Sequence, residues 1–347
     1  MLLFQNGLPL STDDAAVPIL ACRGVSGGSG VAVRYDDIGN RLRAFRLGSR
    51  LSADDIARRT GISRTALYRF ERGEVVKIET LDRLANLLQV SVATLLGVGV
   101  EYIASAVSYF ERMRQIESTA QHIIALASPI ASILASDSFE NTLEEVLRES
   151  IPGDVEDRPR LLEDVTRITA ILRERKATYR ARQPTVLNLM SALEIERFAR
   201  NGMVGNSGLP GRLKRARRQL ARAEIEHFAS LIEDDPINVR IGIVSETLAH
   251  TGFQIFRQPD RQVLTISPFR LGEHPNIRVG VAMITSAPEA LTLHNTVVNQ
   301  LWRSALRGKD AARFLRGLLG QVSPPVATVP ASAVASPEAR SRRRARR

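Results

Sequence analysis

The chain has 347 residues, 44% of them hydrophobic, which exceeds one ordinary domain and allows a sizeable core. Its formal net charge of +11 favours a polyanionic partner, although the last ten residues alone hold six arginines against one glutamate. A lone cysteine, Cys22, excludes an internal disulfide framework, and no apolar run reaches the ~18 residues that span a bilayer. These features predict a cytoplasmic protein without a membrane partner.

Composition and periodicity divide the chain into five parts. Residues 1–33, rich in Gly, Ser and Pro, predict a disordered leader, and the Pro-, Ala- and Arg-rich residues 321–347 predict a disordered tail. Between them we expect a helical domain at 34–98, a linker helix at 99–120 and an α/β domain at 121–320.

Five short helices are predicted within residues 34–98. Ile38, Leu42 and Phe45 form the first apolar stripe, which ends at Gly48. Ser52 and Ser63 are typical N-caps, and Gly61 supplies the turn between the second and third helices. The fourth and fifth helices follow at 78–88 and at 92–96, the latter capped by Ser91.

The linker segment 99–120 predicts one amphipathic helix. Its apolar residues recur at steps of three and four: Val100, Ile103, Val107, Phe110 and Met113. This stripe either packs on its own domain or forms the seam of a dimer, and the sequence leaves both alternatives open.

In residues 121–320, strand patterns alternate with helix patterns, which indicates an α/β domain. The turn Gln258-Pro259-Asp260-Arg261 predicts a hairpin between two short strands. A buried strand or hairpin is expected at 123–134, and further strands at 185–190, 238–244, 254–256, 263–266 and 278–285. The expected helices lie at 142–148, 161–182, 193–200, 212–231 and 288–306.

The segment from Tyr35 to Leu96 resembles the Cro/repressor-type helix-turn-helix family, also called the xenobiotic-response-element (XRE) type. The residues that carry the resemblance are Leu51-Ser52, Ile56-Ala57, Gly61-Ile62-Ser63, Leu67, Phe70-Glu71-Arg72-Gly73, Leu81, Leu84-Ala85 and Leu95-Leu96. The resemblance implies an all-α head that places its third helix in the major groove of double-stranded DNA.

The resemblance also implies a role for each of several side chains. Arg64, Thr65 and Arg69 fall where the family contacts bases: each arginine can hold a guanine O6/N7 pair, and the threonine a thymine methyl. The DNA backbone contacts implied are Ser52, Arg72 and Lys77.

Two further positions match the family's internal architecture. Arg46 and Glu71 correspond to its structural ion pair between the first and third helices. Ala53 departs from the pattern, because the family often has Gln there to support a backbone contact.

Two other basic segments have more than one interpretation. The helix at 212–222 could be a second nucleic-acid patch, a site for a ligand phosphate or a solvated face. The arginines of 340–347 either bind DNA phosphates without sequence preference or solubilise the tail.

The α/β domain shows no pattern typical of catalysis, a metal site or a cofactor. Residues 278–306 faintly resemble the degenerate phospholipase-D-like sensor domains that follow some helix-turn-helix heads. The enzymes need His-x-Lys, which this chain lacks, so the resemblance implies a sensor or oligomerisation module.

The sequence therefore predicts a non-enzymatic, nucleoid-associated transcriptional regulator that binds DNA as a homodimer and senses a small molecule or protein. Two alternatives stay open. The α/β domain could be an enzyme that carries a DNA-binding head, or the chain could be an antitoxin-like autoregulator.

Overall fold

The computed structural model describes residues 35–49, 51–126, 129–206, 208–245 and 252–321. The leader predicted at 1–33 and nearly all of the tail predicted at 321–347 lie outside these residues. Within them, the helical region that we call the head (35–97) is followed by a mixed sheet with helices, which we call the body (100–321).

The head contains five helices: α1 (Tyr35–Gly48), α2 (Ala53–Thr60), α3 (Arg64–Glu71), α4 (Ile78–Leu87) and α5 (Val92–Leu96). Their ends follow local signals. The hydroxyls of Ser52, Ser63 and Ser91 each accept a hydrogen bond from a backbone N–H three residues on, as predicted. Gly61 ends α2 with φ of 72°, in the left-handed region that favours glycine. A small apolar core holds α1 to α4 together, formed by Leu42, Ile56, Leu67 and Leu84.

The expected single helix at 99–120 is wrong in its first part. Val100–Ile103 forms strand β1, and helix α6 begins only at Ala106 and ends at Glu117. β1 pairs antiparallel with a strand near residue 284, a partner that no local pattern reveals. Glu101 is buried on this strand, so the polar spacing that suggested a helical outer face was misleading.

In the described residues, eight strands form one sheet in the order β1-β7-β6-β5-β2-β3-β4-β8. The strands after β1 are β2 (His122–Leu126), β3 (Thr185–Ser191), β4 (Val239–Val244), β5 (Phe253–Arg257), β6 (Gln262–Ile266), β7 (Ala282–Thr285) and β8 (Leu306–Arg307). β2, β3 and β4 run parallel, and every other neighbouring pair is antiparallel. Two expected strands proved shorter than predicted, because β2 ends at Leu126 and β7 begins only at Ala282.

Helices cover both faces of the sheet. They are α7 (Asp137–Glu149), α8 (Arg158–Arg182), α9 (Ala192–Asn201), α10 (Gly211–Asp234), α11 (Pro288–Ser304) and α12 (Gly308–Gln321). Alternate strand residues divide between two cores, as a period of two requires. Val186 and Met190 of β3 pack with α6 to α10, whereas Leu187 and Leu189 pack with Trp302 of α11.

The head and the body share a core through α1 and α6. Ile38 and Phe45 of α1 belong to the same apolar cluster as Val107 and Phe110 of α6. Ten of the twelve residues of α6 are buried within the chain. The segment expected to act as a linker is therefore part of the core, and its apolar stripe packs on its own chain rather than on a second copy.

Polar contacts reinforce this joint. The Ser108 hydroxyl donates to the carbonyl oxygen of Ala44 at 3.0 Å, and the Gln115 amide donates to the carbonyl oxygen of Asn40 at 3.0 Å. Outside α6, Arg261 forms a bidentate pair with Asp37, with N–O distances of 2.5 and 3.1 Å. Polar groups of α6 and of the turn before β6 thus both hold α1 against the body.

At the centre of the joint, one carboxylate bridges two arginines. Glu101 of β1 accepts hydrogen bonds from Arg41 of α1 at 2.5 Å and from Arg112 of α6 at 3.0 Å. All three side chains are buried. Burial alone would raise the pKa of Glu101, but Arg112 and Arg41 outweigh it and hold that pKa below its ordinary value.

Candidate nucleic-acid interface

The third helix presents a polar face to solvent. At 100° per residue, Arg64, Thr65, Tyr68 and Arg69 fall within an arc of about 140° on α3, and Arg72 is the residue that ends the helix. All five side chains are exposed. The opposite face is anchored by Leu67, which is fully buried in the head core. The three residues expected to contact bases therefore lie together on an accessible surface.

Caps and a close helix contact determine where this surface lies. Ser63 caps α3 at its N-terminus, and the turn at Gly61 holds α3 against α2. A Cβ at Gly39 of α1 would lie 2.5 Å from the carbonyl oxygen of Phe70 and 2.7 Å from that of Glu71. Only glycine lets α1 approach the end of α3 this closely, a constraint that local sequence patterns did not reveal.

Arg46 and Glu71 form the ion pair that the family resemblance implies. Arg46 donates to Glu71 through both Nε and Nη2, the latter at 3.0 Å. Burial alone would lower the pKa of Arg46, but the hydrogen bonds to Glu71 outweigh it and raise that pKa. The Arg46 guanidinium also lies over the ring of Tyr68, 5.5 Å from its centroid. This pair joins α1 to α3 and sets the angle at which α3 is presented.

Both exposed arginines of α3 have a carboxylate nearby in the free protein. Arg64 lies 3.2 Å from Asp54, and Arg69 lies 2.7 Å from Glu74. The side chains of Arg64 and Arg69 are 57% and 51% exposed, so these pairs are solvated and weak. Either arginine can therefore exchange its carboxylate for another hydrogen-bond acceptor at small cost.

The candidates for backbone contacts differ in what they offer. Arg72 and Lys77 are exposed cations beside α3. The Ser52 hydroxyl is already engaged, because it accepts from the backbone N–H of Asp55 and donates to its carboxylate at 2.6 Å. The Ser52 hydroxyl thus has a structural role in this capping box. Its hydrogen bond to Asp55 would have to break before the hydroxyl could donate to a phosphate.

The basic helix at 212–222 does not form a continuous cationic face. Arg217 is buried and lies between Glu145 and Glu149, at 3.1 and 2.8 Å. Arg222 donates to the carbonyl oxygen of Leu319. These arginines hold α10 to its neighbours. Arg217, in the middle of the basic segment, is therefore not available to a nucleic acid, which weakens the interpretation of this segment as a nucleic-acid patch. The arginines of 340–347 lie outside the described residues.

This arrangement has a counterpart among known proteins. Residues 37–96 match a family model described as a helix-turn-helix domain. The chain carries a helix-turn-helix DNA-binding domain. The match covers the head from the third residue of α1 to the end of α5, and so includes α3 and its exposed face. Comparison with curated proteins gives no match. In the described residues, no helix combines the length and the apolar character needed to cross a membrane.

Proposed function

We propose that this protein is a sequence-specific transcriptional regulator of the Cro/repressor, or XRE, type. In this proposal α3 enters the major groove, Arg64 and Arg69 each bind a guanine, and Thr65 contacts a thymine methyl group. Arg72 and Lys77 bind phosphates on either side. The single observation that carries the proposal is the exposed arc on a capped helix inside the matched domain.

We propose further that the protein binds DNA as a homodimer. A single short helix reaches few base pairs, and two heads on half-sites one helical turn apart are the usual solution. The rigid joint between head and body supports this, because a body–body contact would then fix the spacing of two heads.

In the same proposal the body regulates the head and does not catalyse a reaction. Its support is the shared core: a change in the packing of α6 reaches α1 directly, and α1 holds α3 through Arg46 and Glu71. The location that follows for such a regulator is the cytoplasm, on the nucleoid.

Selection from a random pool of duplexes by the full chain tests the proposal. We expect enrichment of a palindromic motif with half-site centres about 34–36 Å apart. The double variant R64A/R69A should fail to enrich that motif. R313A is the control, because Arg313 is also an exposed arginine but lies on α12 of the body. No enriched motif, or the same motif from the double variant, would contradict sequence reading by α3.

A further inference from the structure

A cavity of about 130 Å³ lies in the body, between α6, α8 and the sheet. It is situated at the carboxyl end of β2, where Leu126 and the following residues 130–133 form part of its wall. Crevices at the carboxyl ends of parallel strands are common ligand sites in α/β folds. An apolar protein cavity of about 150 Å³ accommodates benzene, so the space suits a single ring.

Aromatic and aliphatic side chains form the apolar part of the wall. α6 contributes Tyr109, Phe110 and Met113, and Phe253 and Phe269 close other sides. The rings of Tyr109 and Phe269 lie 5.8 Å apart, centroid to centroid. Such a wall favours a flat apolar body.

The polar part of the wall includes two oxygen atoms that accept no hydrogen bond from the described residues. Gln254 Oε1 and Glu194 Oε2 line the cavity, are buried and have no hydrogen-bond partner among the described residues. Asn188 of β3 lies in the same row across the sheet as Gln254, with Ala125 of β2 between them. Its amide atoms are also buried without a partner in the described part of the chain. Buried polar atoms are nearly always satisfied in native proteins, and those left over at a cavity point to a missing partner. To satisfy the two oxygens at the cavity, Gln254 Oε1 and Glu194 Oε2, the missing partner has to supply N–H or O–H groups.

The charges around the cavity balance. Arg175 of α8 forms a bidentate pair with Glu117 of α6, with both N–O distances at 2.7 Å. Of the other ionisable side chains in the wall, Glu194 and Arg270 have opposite signs. The two carboxylates and two guanidinium groups in the described wall therefore carry no net formal charge, which favours an uncharged ligand.

We propose that this cavity binds a small uncharged molecule with a ring-sized apolar body and N–H or O–H donors. The ring packs on Phe110, Tyr109 and Phe269, and the donors meet Gln254 and Glu194. This ligand site does not depend on whether the protein binds DNA.

One consequence does rest on the proposed DNA-binding function. Tyr109, Phe110 and Met113 of α6 line the cavity, while Ser108 and Gln115 of the same helix hold the backbone of α1. A ligand that favours one position of α6 therefore changes the presentation of α3, and DNA affinity changes with it.

Three probes that share a benzene ring test the site on the full chain by saturation-transfer NMR. Benzamide carries N–H donors, acetophenone replaces the amino group by a methyl group, and benzoate is charged. We expect saturable binding of benzamide with a dissociation constant of about 1 mM, as fragment-sized ligands give. Acetophenone and benzoate should bind at least about tenfold more weakly, a loss of one or two hydrogen bonds. No saturable benzamide binding, or equal binding of acetophenone or benzoate, would overturn the proposal.

Q254L and E194Q locate the site. Each should weaken benzamide binding about tenfold, whereas Q300L, at an exposed position of α11, should leave it unchanged. Should Q254L fail to fold, E194Q keeps the shape of its side chain and carries the test alone. Unchanged benzamide binding in the folded variants would overturn the assignment.

The effect on DNA is measured separately, as the affinity for the selected duplex with and without saturating benzamide. We expect at least about a fivefold change, which corresponds to the usual lower range of coupling between two sites. An unchanged affinity would overturn the coupling alone. Failure to select any duplex would count against the proposed function and leave the NMR result standing.

Discussion

The arginines of α3 and those of the joint between head and body contrast sharply. On α3, Arg64 and Arg69 are half exposed and each lies beside an exposed carboxylate. In the joint, Arg41 and Arg112 are buried and share the single carboxylate of Glu101. The first arrangement leaves cations ready to exchange partners, whereas the second locks two helices and a strand together. The same residue type thus holds the joint together at one place, and in the proposed function it reads DNA at the other.

The largest effect is expected from breaking the buried side of this comparison. E101Q leaves Arg41 and Arg112 without the carboxylate that they share, so the free energy of unfolding should fall by about 3–5 kcal/mol. Urea denaturation of the full chain measures this. E74Q is the matched control, since it removes an exposed partner of Arg69 and should change stability by less than about 0.5 kcal/mol. Equal small effects of both variants would show that the joint is solvated.

The pH dependence sharpens the same point. Because the folded-state pKa of Glu101 lies below its ordinary value of 4.5, its stabilising contribution is present above that value and is lost as the pH falls through the folded pKa. Wild-type stability should therefore drop in acid more steeply than that of E101Q. Parallel pH profiles of the two proteins, measured by denaturation, would contradict the assignment.

The contact between α1 and α3 should give the next effect. G39A places a methyl group against two carbonyl oxygens of α3, and overpacking of this kind costs about 1–3 kcal/mol. We also expect weaker binding to the selected duplex, because α3 must shift. G317A, at a glycine of α12 with open space around it, is the control. Wild-type stability and binding in G39A would mean that the head absorbs the methyl group.

A region could be predicted from sequence where neighbouring residues determine its structure, and could not where distant residues do. Ser52, Gly61 and Ser63 act on their own neighbours, so the helices of the head could be placed from local signals. The strand at Val100–Ile103 could not, because its partner β7 lies about 180 residues further along the chain. The burial of Arg217 likewise depends on Glu145 and Glu149, which belong to another helix.

The exposed cations beside α3 should affect salt dependence and leave sequence preference intact. R72A and K77A should each reduce the slope of log affinity against log salt by about 0.9, one phosphate contact apiece. S52A tests the capping box: we expect a loss of helix stability of about 1 kcal/mol and an unchanged slope. A slope reduced by S52A would restore the serine as a phosphate contact.

The smallest effect is expected at the solvated ion pairs. E74Q frees Arg69 from a competing carboxylate and removes a negative charge near the DNA, so binding should tighten by about 0.2–1 kcal/mol. Titration of labelled duplex at low salt measures this. Weaker binding in E74Q would show that Glu74 positions Arg69 for the base.

The most direct test of α3 as the reading element is the affinity of the full chain for its selected duplex relative to random duplex, with and without R69A. We expect wild-type protein to prefer the selected duplex, and R69A to lose about 1–3 kcal/mol of that preference while binding random duplex almost as before. Equal affinity of wild-type protein for both duplexes, or an undiminished preference in R69A, would contradict the account.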